Sequence, residues 1–280
     1  MLATLLSSVL LLVPSFSRQP SATGQAPAPY EVYAVRFAHV PFPESSLVAG
    51  GDKSRTVDIA FTFWVARNAQ RLVLIDAGFY HEKFIQDWKP QDYVQPTEAL
   101  RAGLGIAPEE VTDLVLTHVH WDHADGVDRF PRARIWIQSE EYEHYVGSSG
   151  EALDRAIEPE VAKMLAQLKA ANRVTLVNGD AQEILPGIKV YTGGKHTVAS
   201  QHLGVRTRGG VVILASDNAY LYQNLERHVA IAQALDASSN LAALERILTL
   251  ASAPRLVIPG HDPAVFERFP KPGHGVARIE

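Results

Sequence analysis

With 280 residues, 46% of them hydrophobic and 20% charged, the chain can bury one sizeable core and has room for one catalytic domain and little else. A formal net charge of −5 gives no basic footprint for nucleic acid and no polybasic segment for a membrane surface, so the expected partner is a small, uncharged or weakly charged molecule. The absence of cysteine excludes disulfides, thiolate ligands and a cysteine-borne lipid anchor, so any metal must be held by nitrogen and oxygen.

The first segment, Met1 to Val13, is almost entirely Leu, Val, Ala and Ser, and Ser15-Phe16-Ser17 puts small residues at the spacing of a signal-peptidase site. Residues 1–17 are therefore expected to be a signal peptide, and the protein to be exported, periplasmic or secreted. No Lys or Arg precedes the apolar run, which is short for a membrane span, so an uncleaved anchor or a later start is the competing expectation. Residues 18–29, rich in Pro, Ala, Ser, Gln and Gly, lack large apolar side chains and read as a linker. That leaves 30–280 for the folded domain.

Short strands are predicted over Glu31–Phe37, Val57–Val65 and Arg71–Ile75, rich in β-branched and aromatic residues and separated by Gly, Pro and Asn. Between the first two, Phe37–Gly51 carries apolar side chains on a segment broken by Pro41, Pro43 and Gly50-Gly51, as in a loop that borders a pocket or merely connects. A helix is expected from Pro96-Thr97-Glu98, capped by Thr97 and ended by Gly105. Leu114–Leu116 and Arg134–Ile137 read as strands, Ser139–Tyr145 as a helix, and Pro159–Ala171 as a stronger helix with Val161, Met164, Leu165 and Leu168 on one face. Strands return at Val174–Val177, Ile188–Thr192, His202–Thr207 and Val211–Ala215. Two helices follow, Leu241–Leu250 the clearer, before a last strand at Arg255–Ile258.

One stretch carries the chemistry. Thr117-His118-Val119-His120-Trp121-Asp122-His123 follows an apolar strand, and a chain still extended at His118 and His120 points both imidazoles the same way. A turn then returns Asp122 and His123 toward them. Imidazole suits zinc, and the hard carboxylate beside it lets a second ion sit close by.

This His-x-His-x-Asp-His stretch resembles the signature of the metallo-β-lactamase superfamily. The resemblance asks for three further ligands, and His196 (Gly-Gly-Lys-His-Thr), Asp217 (Leu-Ala-Ser-Asp) and His261 (Ile-Pro-Gly-His-Asp) arrive in the expected order. It implies an α/β fold, the four-layer αβ/βα sandwich, with 30–280 as a catalytic domain whose metals lie at strand ends between two central sheets. No internal sequence repeat establishes the two halves independently. By similarity, His118, His120 and His196 bind one ion, Asp122, His123 and His261 the other, and Asp217 bridges. Asp76, in Asp76-Ala77-Gly78 at a strand end, is placed to orient a ligand histidine, although an ordinary turn aspartate would look the same.

The resemblance further implies a dinuclear-metal hydrolase, with two Zn2+ per chain by default and cobalt, manganese or iron compatible with the same ligands. Hydroxide held between the ions would attack a carbonyl, and Asp122 belongs to the catalytic set. The diiron oxygen-reducing branch carries a carboxylate where His120 stands, and the histidine-only β-lactamases lack the aspartate that Asp217 supplies, so an ester, thioester or lactone is the implied substrate. Tyr220, three residues after Asp217, matches a tyrosine of the quorum-quenching N-acyl homoserine lactonases that helps bind the lactone carbonyl and the developing oxyanion. Lys195 and Val198-Ala199-Ser200-Gln201 depart from the Gly-His-Thr-Pro-Gly-His context of those lactonases. A lactonase for a bicyclic lactone of the 4-pyridoxolactone kind, a glyoxalase-II-like thioesterase, a β-lactamase and a non-catalytic metal or ligand binder are therefore the alternatives. His39, His81, His144, His228 and His274 have no ligand-type context, while His202 is a candidate to support a ligand from behind.

Overall fold

The fold is set by strands whose side chains alternate between two different apolar layers. In the computed structural model, which describes residues 28–280, β1 (Glu31–Pro43), β2 (Thr56–Arg67) and β3 (Leu72–Ile75) form an antiparallel meander. Helices α1 (Glu82–Trp88) and α2 (Pro96–Leu104) lead to β4 (Asp113–Val115), and α3 (Trp121–Ala124) to β5 (Arg134–Gln138). Next, α4 (Ser139–Tyr145) and α5 (Pro159–Ala170) lead to β6 (Val174–Val177). The second half comprises β7 (Gln182–Leu185), β8 (Ile188–Thr192), β9 (Gln201–Arg206), β10 (Val211–Ser216), α6 (Tyr222–Glu226), α7 (Ala237–Leu250), β11 (Val257–Pro259), α8 (Val265–Arg268) and β12 (Val276–Arg278). The expected signal peptide and residues 18–27 of the expected linker lie outside the described residues.

A seven-stranded sheet in the order β12-β1-β2-β3-β4-β5-β6 packs against a five-stranded sheet in the order β11-β10-β9-β8-β7. Along β2, Ile59, Phe61, Phe63 and Val65 enter the layer shared with α2, α4 and α5. Ala60, Trp64 and Ala66 enter the layer shared with the second sheet, as the period of two requires. Leu244 and Ile247 of α7 cover the far side of the second sheet, completing helix, sheet, sheet, helix. This is the α/β four-layer sandwich.

The strand ends position the site. β3, β4, β5 and β6 run parallel, as do β10 and β11, so their carboxyl ends point the same way, where ligands of open α/β sheets collect. Asp76 follows β3, Thr117-His118 lie just past β4, Asp217 follows β10, and Gly260-His261 follow β11.

Three expectations need correction. β1 does not end at Phe37 but continues through Pro41 and Pro43, after a register shift between Arg36 and Ala38. The prolines are tolerated because β12 pairs only with Tyr33–Val35, leaving the far edge of β1 without strand partners needing an N–H. The helix at 96 begins with Pro96 at its first turn and Gln95 before it, so Thr97 does not cap it. The last strand starts two residues later than Arg255, because Pro254–Leu256 form a 3-10 turn. Four short elements, α1, β7, α8 and β12, have no counterpart in the sequence reading, and α3 forms where only a turn was expected.

Candidate metal centre

The seven expected side chains converge. Ligand-type atoms of His118, His120, His196 and Asp217 form one group, and those of Asp122, His123 and His261 a second, each within 4.8 Å. Asp217 divides its oxygens between them. Oδ2 lies 3.2 Å from His196 Nε2 and 3.7 Å from His118 Nε2, whereas Oδ1 lies 3.0 Å from His261 Nε2 and 3.3 Å from His123 Nε2. Asp122 Oδ2 completes the second group, 3.5 Å from His123 Nε2 and 3.8 Å from His261 Nε2.

The outward nitrogens explain the inward ones. His118 Nδ1 meets Thr117 Oγ1 at 3.0 Å, His123 Nδ1 meets Asp76 Oδ2 at 2.8 Å, His261 Nδ1 donates to the Ala60 carbonyl at 3.0 Å, and His196 Nδ1 meets the Tyr220 hydroxyl at 3.3 Å. Such partners fix tautomer and ring orientation, leaving the other nitrogen as a lone-pair donor. His120 is reversed: its Nδ1 faces inward, 3.1 Å from His118 Nε2 and 2.8 Å from His196 Nε2. Three imidazole nitrogens thus crowd one point. At most one proton, on His120 Nδ1, is shared between the two Nε2 lone pairs, and buried His123 Nε2 makes no hydrogen bond. An all-nitrogen-and-oxygen set with unpartnered lone pairs fits a pair of divalent cations.

Electrostatics separate the two groups. Burial, reinforced by the neighbouring histidines, holds His118 well below the ordinary histidine range and His120 at about 3. Burial would lower His123 too, but the carboxylates of Asp217, Asp122 and Asp76 outweigh it and raise its pKa well above normal. Burial likewise opposes ionisation of Asp217, yet His123, His261 and His118 hold it well below the carboxylate range.

Beneath the ligands the backbone is strained. Asp76 (φ 61°), Lys195 (φ 47°) and Ser216 (φ 47°) adopt left-handed conformations that cost non-glycine residues about 1–3 kcal/mol each. Hydrogen bonds offset this. Asp76 Oδ1 accepts the Thr117 N–H at 2.8 Å and Oδ2 the Thr117 hydroxyl at 2.9 Å, and Thr117 Oγ1 also meets Ser216 Oγ at 2.9 Å. Lys195, the departure noted in the sequence, turns its ammonium back to the Val198 carbonyl at 2.6 Å and so closes the His196 loop on itself. Gly194 lets that loop approach: a Cβ there would lie 1.8 Å from Asn218 Oδ1.

Above the ligands a cavity of about 250 Å³ is walled by Phe42, Ile59, Phe61, Trp88 and Trp121, with exposed Arg155 and Gln233 at its rim and Tyr220 at its floor. A larger cleft of about 530 Å³ holds none of these side chains. Its Arg255, Arg268 and Arg278 already face Glu280, Glu226 and Glu31, so it offers no free charge. His202 does not reach the ligands: it stacks on Tyr191, its nitrogens lack partners, and burial beside Arg246 lowers its pKa to about 3. Glu141 and the Ala60 carbonyl support the site without a sequence signal of their own, and Thr117 and Ser216, which adjoin ligand residues, add to that support.

The model of the metallo-beta-lactamase superfamily matches residues 55–261, a span that contains every ligand candidate. The chain belongs to that superfamily. Among curated members, it is 29% identical over 161 residues to an N-acyl homoserine lactonase of Bacillus sp and 30% identical over 162 residues to one of Bacillus cereus. Each match covers 57% of this chain, which spans about 59% of those relatives' length. A solved structure of a quorum-quenching N-acyl homoserine lactone lactonase superposes with a TM-score of 0.71 at 19% identity, over 88% of this chain and 98% of that one. A hydrolase of this class with the product N-hexanoyl-L-homoserine at its catalytic metal centre gives a TM-score of 0.70 at 18% identity, over 87% and 97%. These likenesses establish the superfamily fold.

Proposed function

We propose that this superfamily member is a dinuclear hydrolase that opens the lactone ring of N-acyl homoserine lactones, with zinc at both sites. The observation that carries the reading is the divided carboxylate of Asp217, each oxygen facing its own cluster of histidines at the floor of an apolar-walled cavity. The names of the curated relatives support the substrate. Export, expected from residues 1–17, would place the enzyme among diffusible acylated signals.

His118, His120, His196 and Asp217 would hold one ion, and Asp122, His123, His261 and Asp217 the other. When bound, such ions supply a water deprotonated near neutral pH and a Lewis acid for the carbonyl. The chain supplies the rest. With His196 Nε2 turned inward, its Nδ1–H donates to the Tyr220 oxygen, which frees the phenolic hydrogen to donate to the oxyanion as the ring carbonyl becomes tetrahedral. Burial pushes the Tyr220 pKa well above 10, so the phenol keeps that hydrogen. Burial disfavours the Asp122 carboxylate, but His123 and His261 hold its pKa below normal, so it stays ionised. Asp122 lines the cavity beside His261 and Asp217 and would take the proton that the attacking water gives up and return it to the ring oxygen as the C–O bond breaks. The aromatic wall offers apolar surface to an acyl chain.

The test is proton release by the full-length, zinc-loaded protein on short- and long-chain N-acyl homoserine lactones, with a bicyclic lactone, a thioester and a β-lactam alongside. Expected is rapid turnover of the homoserine lactones, abolished by a chelator and restored by zinc. Activity confined to the other substrates would overturn the assignment of substrate, and turnover indifferent to chelation would overturn the metal mechanism.

A further inference from the structure

Glu141 stands in the first turn of α4, where an acidic residue ordinarily faces water, yet it is 0% exposed. No Lys or Arg pairs with it among the described residues. Its carboxylate instead accepts three hydrogen bonds: Oε1 from the Thr197 hydroxyl at 2.6 Å and the Val119 N–H at 3.2 Å, and Oε2 from the Ala199 N–H at 2.8 Å. Val119 lies between His118 and His120, and Thr197 follows His196. One carboxylate is therefore fastened to both loops that carry the three histidines of the first ligand group. Four residues on, Tyr145 of the same helix accepts the Val198 N–H at 3.2 Å.

Burying an ionised carboxylate costs several kcal/mol unless donors saturate it, and an apolar side chain would pack a helix on a sheet at no such cost. What an apolar residue cannot do is bind three donors from two loops in one fixed geometry. The second group is anchored elsewhere: His123 on Asp76 and His261 on the Ala60 carbonyl, neither of which touches Glu141.

We propose that Glu141 is the positioning residue of the first ligand group, fixing the His118–His120 loop against the His196 loop and thereby the affinity of that group, but not of the other, for its ion. This rests on the dinuclear reading above. Glutamine is the discriminating replacement: with one oxygen and one NH2, it must turn a donor toward the N–H of Ala199 or that of Val119, whichever way the amide lies.

The experiment is cobalt(II) titration of full-length wild type and Glu141→Gln, followed by ligand-field absorption in competition with a chelator. Wild type is expected to take up two ions. In the variant one ion weakens by about 10- to 100-fold with an altered ligand-field band, the scale typical of lost support behind a metal ligand, while the other keeps its affinity. Should the variant not fold, Thr197→Val removes only the 2.6 Å donor and is expected to weaken the same ion by less. Two ions weakened alike would reduce Glu141 to a general structural role, and two ions unchanged would remove its role altogether; either result overturns the proposal. A wild type that takes up no cobalt would overturn the dinuclear reading, and this inference with it.

Discussion

The floor and the wall of the cavity are built on opposite plans. On the floor, His118, His123, His196, Asp217 and His261 are each 4% exposed or less, and each histidine is fixed from behind by a hydroxyl, a carboxylate or a carbonyl. On the wall, Phe42, Trp88 and Trp121 are only half-buried and hold one another by ring contacts, 5.4 Å between the centroids of Phe42 and Trp88 and 5.1 Å between those of Trp88 and Trp121. Hydrogen bonds are directional and weaken steeply off line, whereas aromatic rings pack favourably in both offset-stacked and edge-to-face arrangements. On the proposed reading, chemistry falls to the hydrogen-bonded region and substrate fit to the ring-packed one. Replacements on the floor should remove turnover, and replacements on the wall should redistribute it among substrates.

The sharpest way to break that division is Asp217→Asn, which keeps the shape of the side chain and removes the charge shared by both ligand groups. A metal's electrostatic stabilisation is worth several kcal/mol, so kcat is expected to fall on the order of a thousandfold, with fewer than two ions retained per chain. Measured turnover within tenfold of wild type, at full metal content, would show that the two groups do not act through a common carboxylate.

Tyr220→Phe tests the boundary between floor and wall. If the phenol donates to the developing oxyanion, kcat and kcat/KM fall together by about a hundredfold while metal content holds. If Tyr220 serves only as the partner of His196 Nδ1, metal affinity falls instead and restored metal restores the rate.

The same division explains what the sequence made legible. Four floor residues lie within Thr117–His123, so their pattern survives without any knowledge of tertiary structure. His196, Asp217 and His261 are single residues after separate strands, and only a family resemblance joins them. Their supports are further from view. The Ala60 carbonyl that holds His261 has no residue signature, since every residue has a carbonyl. Glu141 looks like any acid at a helix start until the loops of Val119 and Thr197 close over it. The wall is gathered from β1, β2, α1, α3 and the segments around Arg155 and Gln233, and each contributing element buries apolar residues that read as ordinary core. Prolines 41 and 43 misled for a related reason: whether a strand tolerates proline depends on which edge is paired, a fact of the sheet and not of the segment.

The smallest expected effect sharpens the comparison from the wall side. Trp88 ends α1 and contacts Phe42, Phe61 and Trp121, but no candidate ligand is among its ring partners. Trp88→Ala should leave kcat on the shortest acyl homoserine lactone unchanged and raise KM for longer chains. Each methylene that loses its apolar cover forfeits about 0.8 kcal/mol, or roughly a fourfold rise in KM. A KM series across chain lengths separates this from damage to the floor, because a displaced ligand would lower kcat for every substrate alike. Should the variant lose kcat uniformly, the wall would be a support of the metal centre, and the division of labour drawn from the two regions would fail.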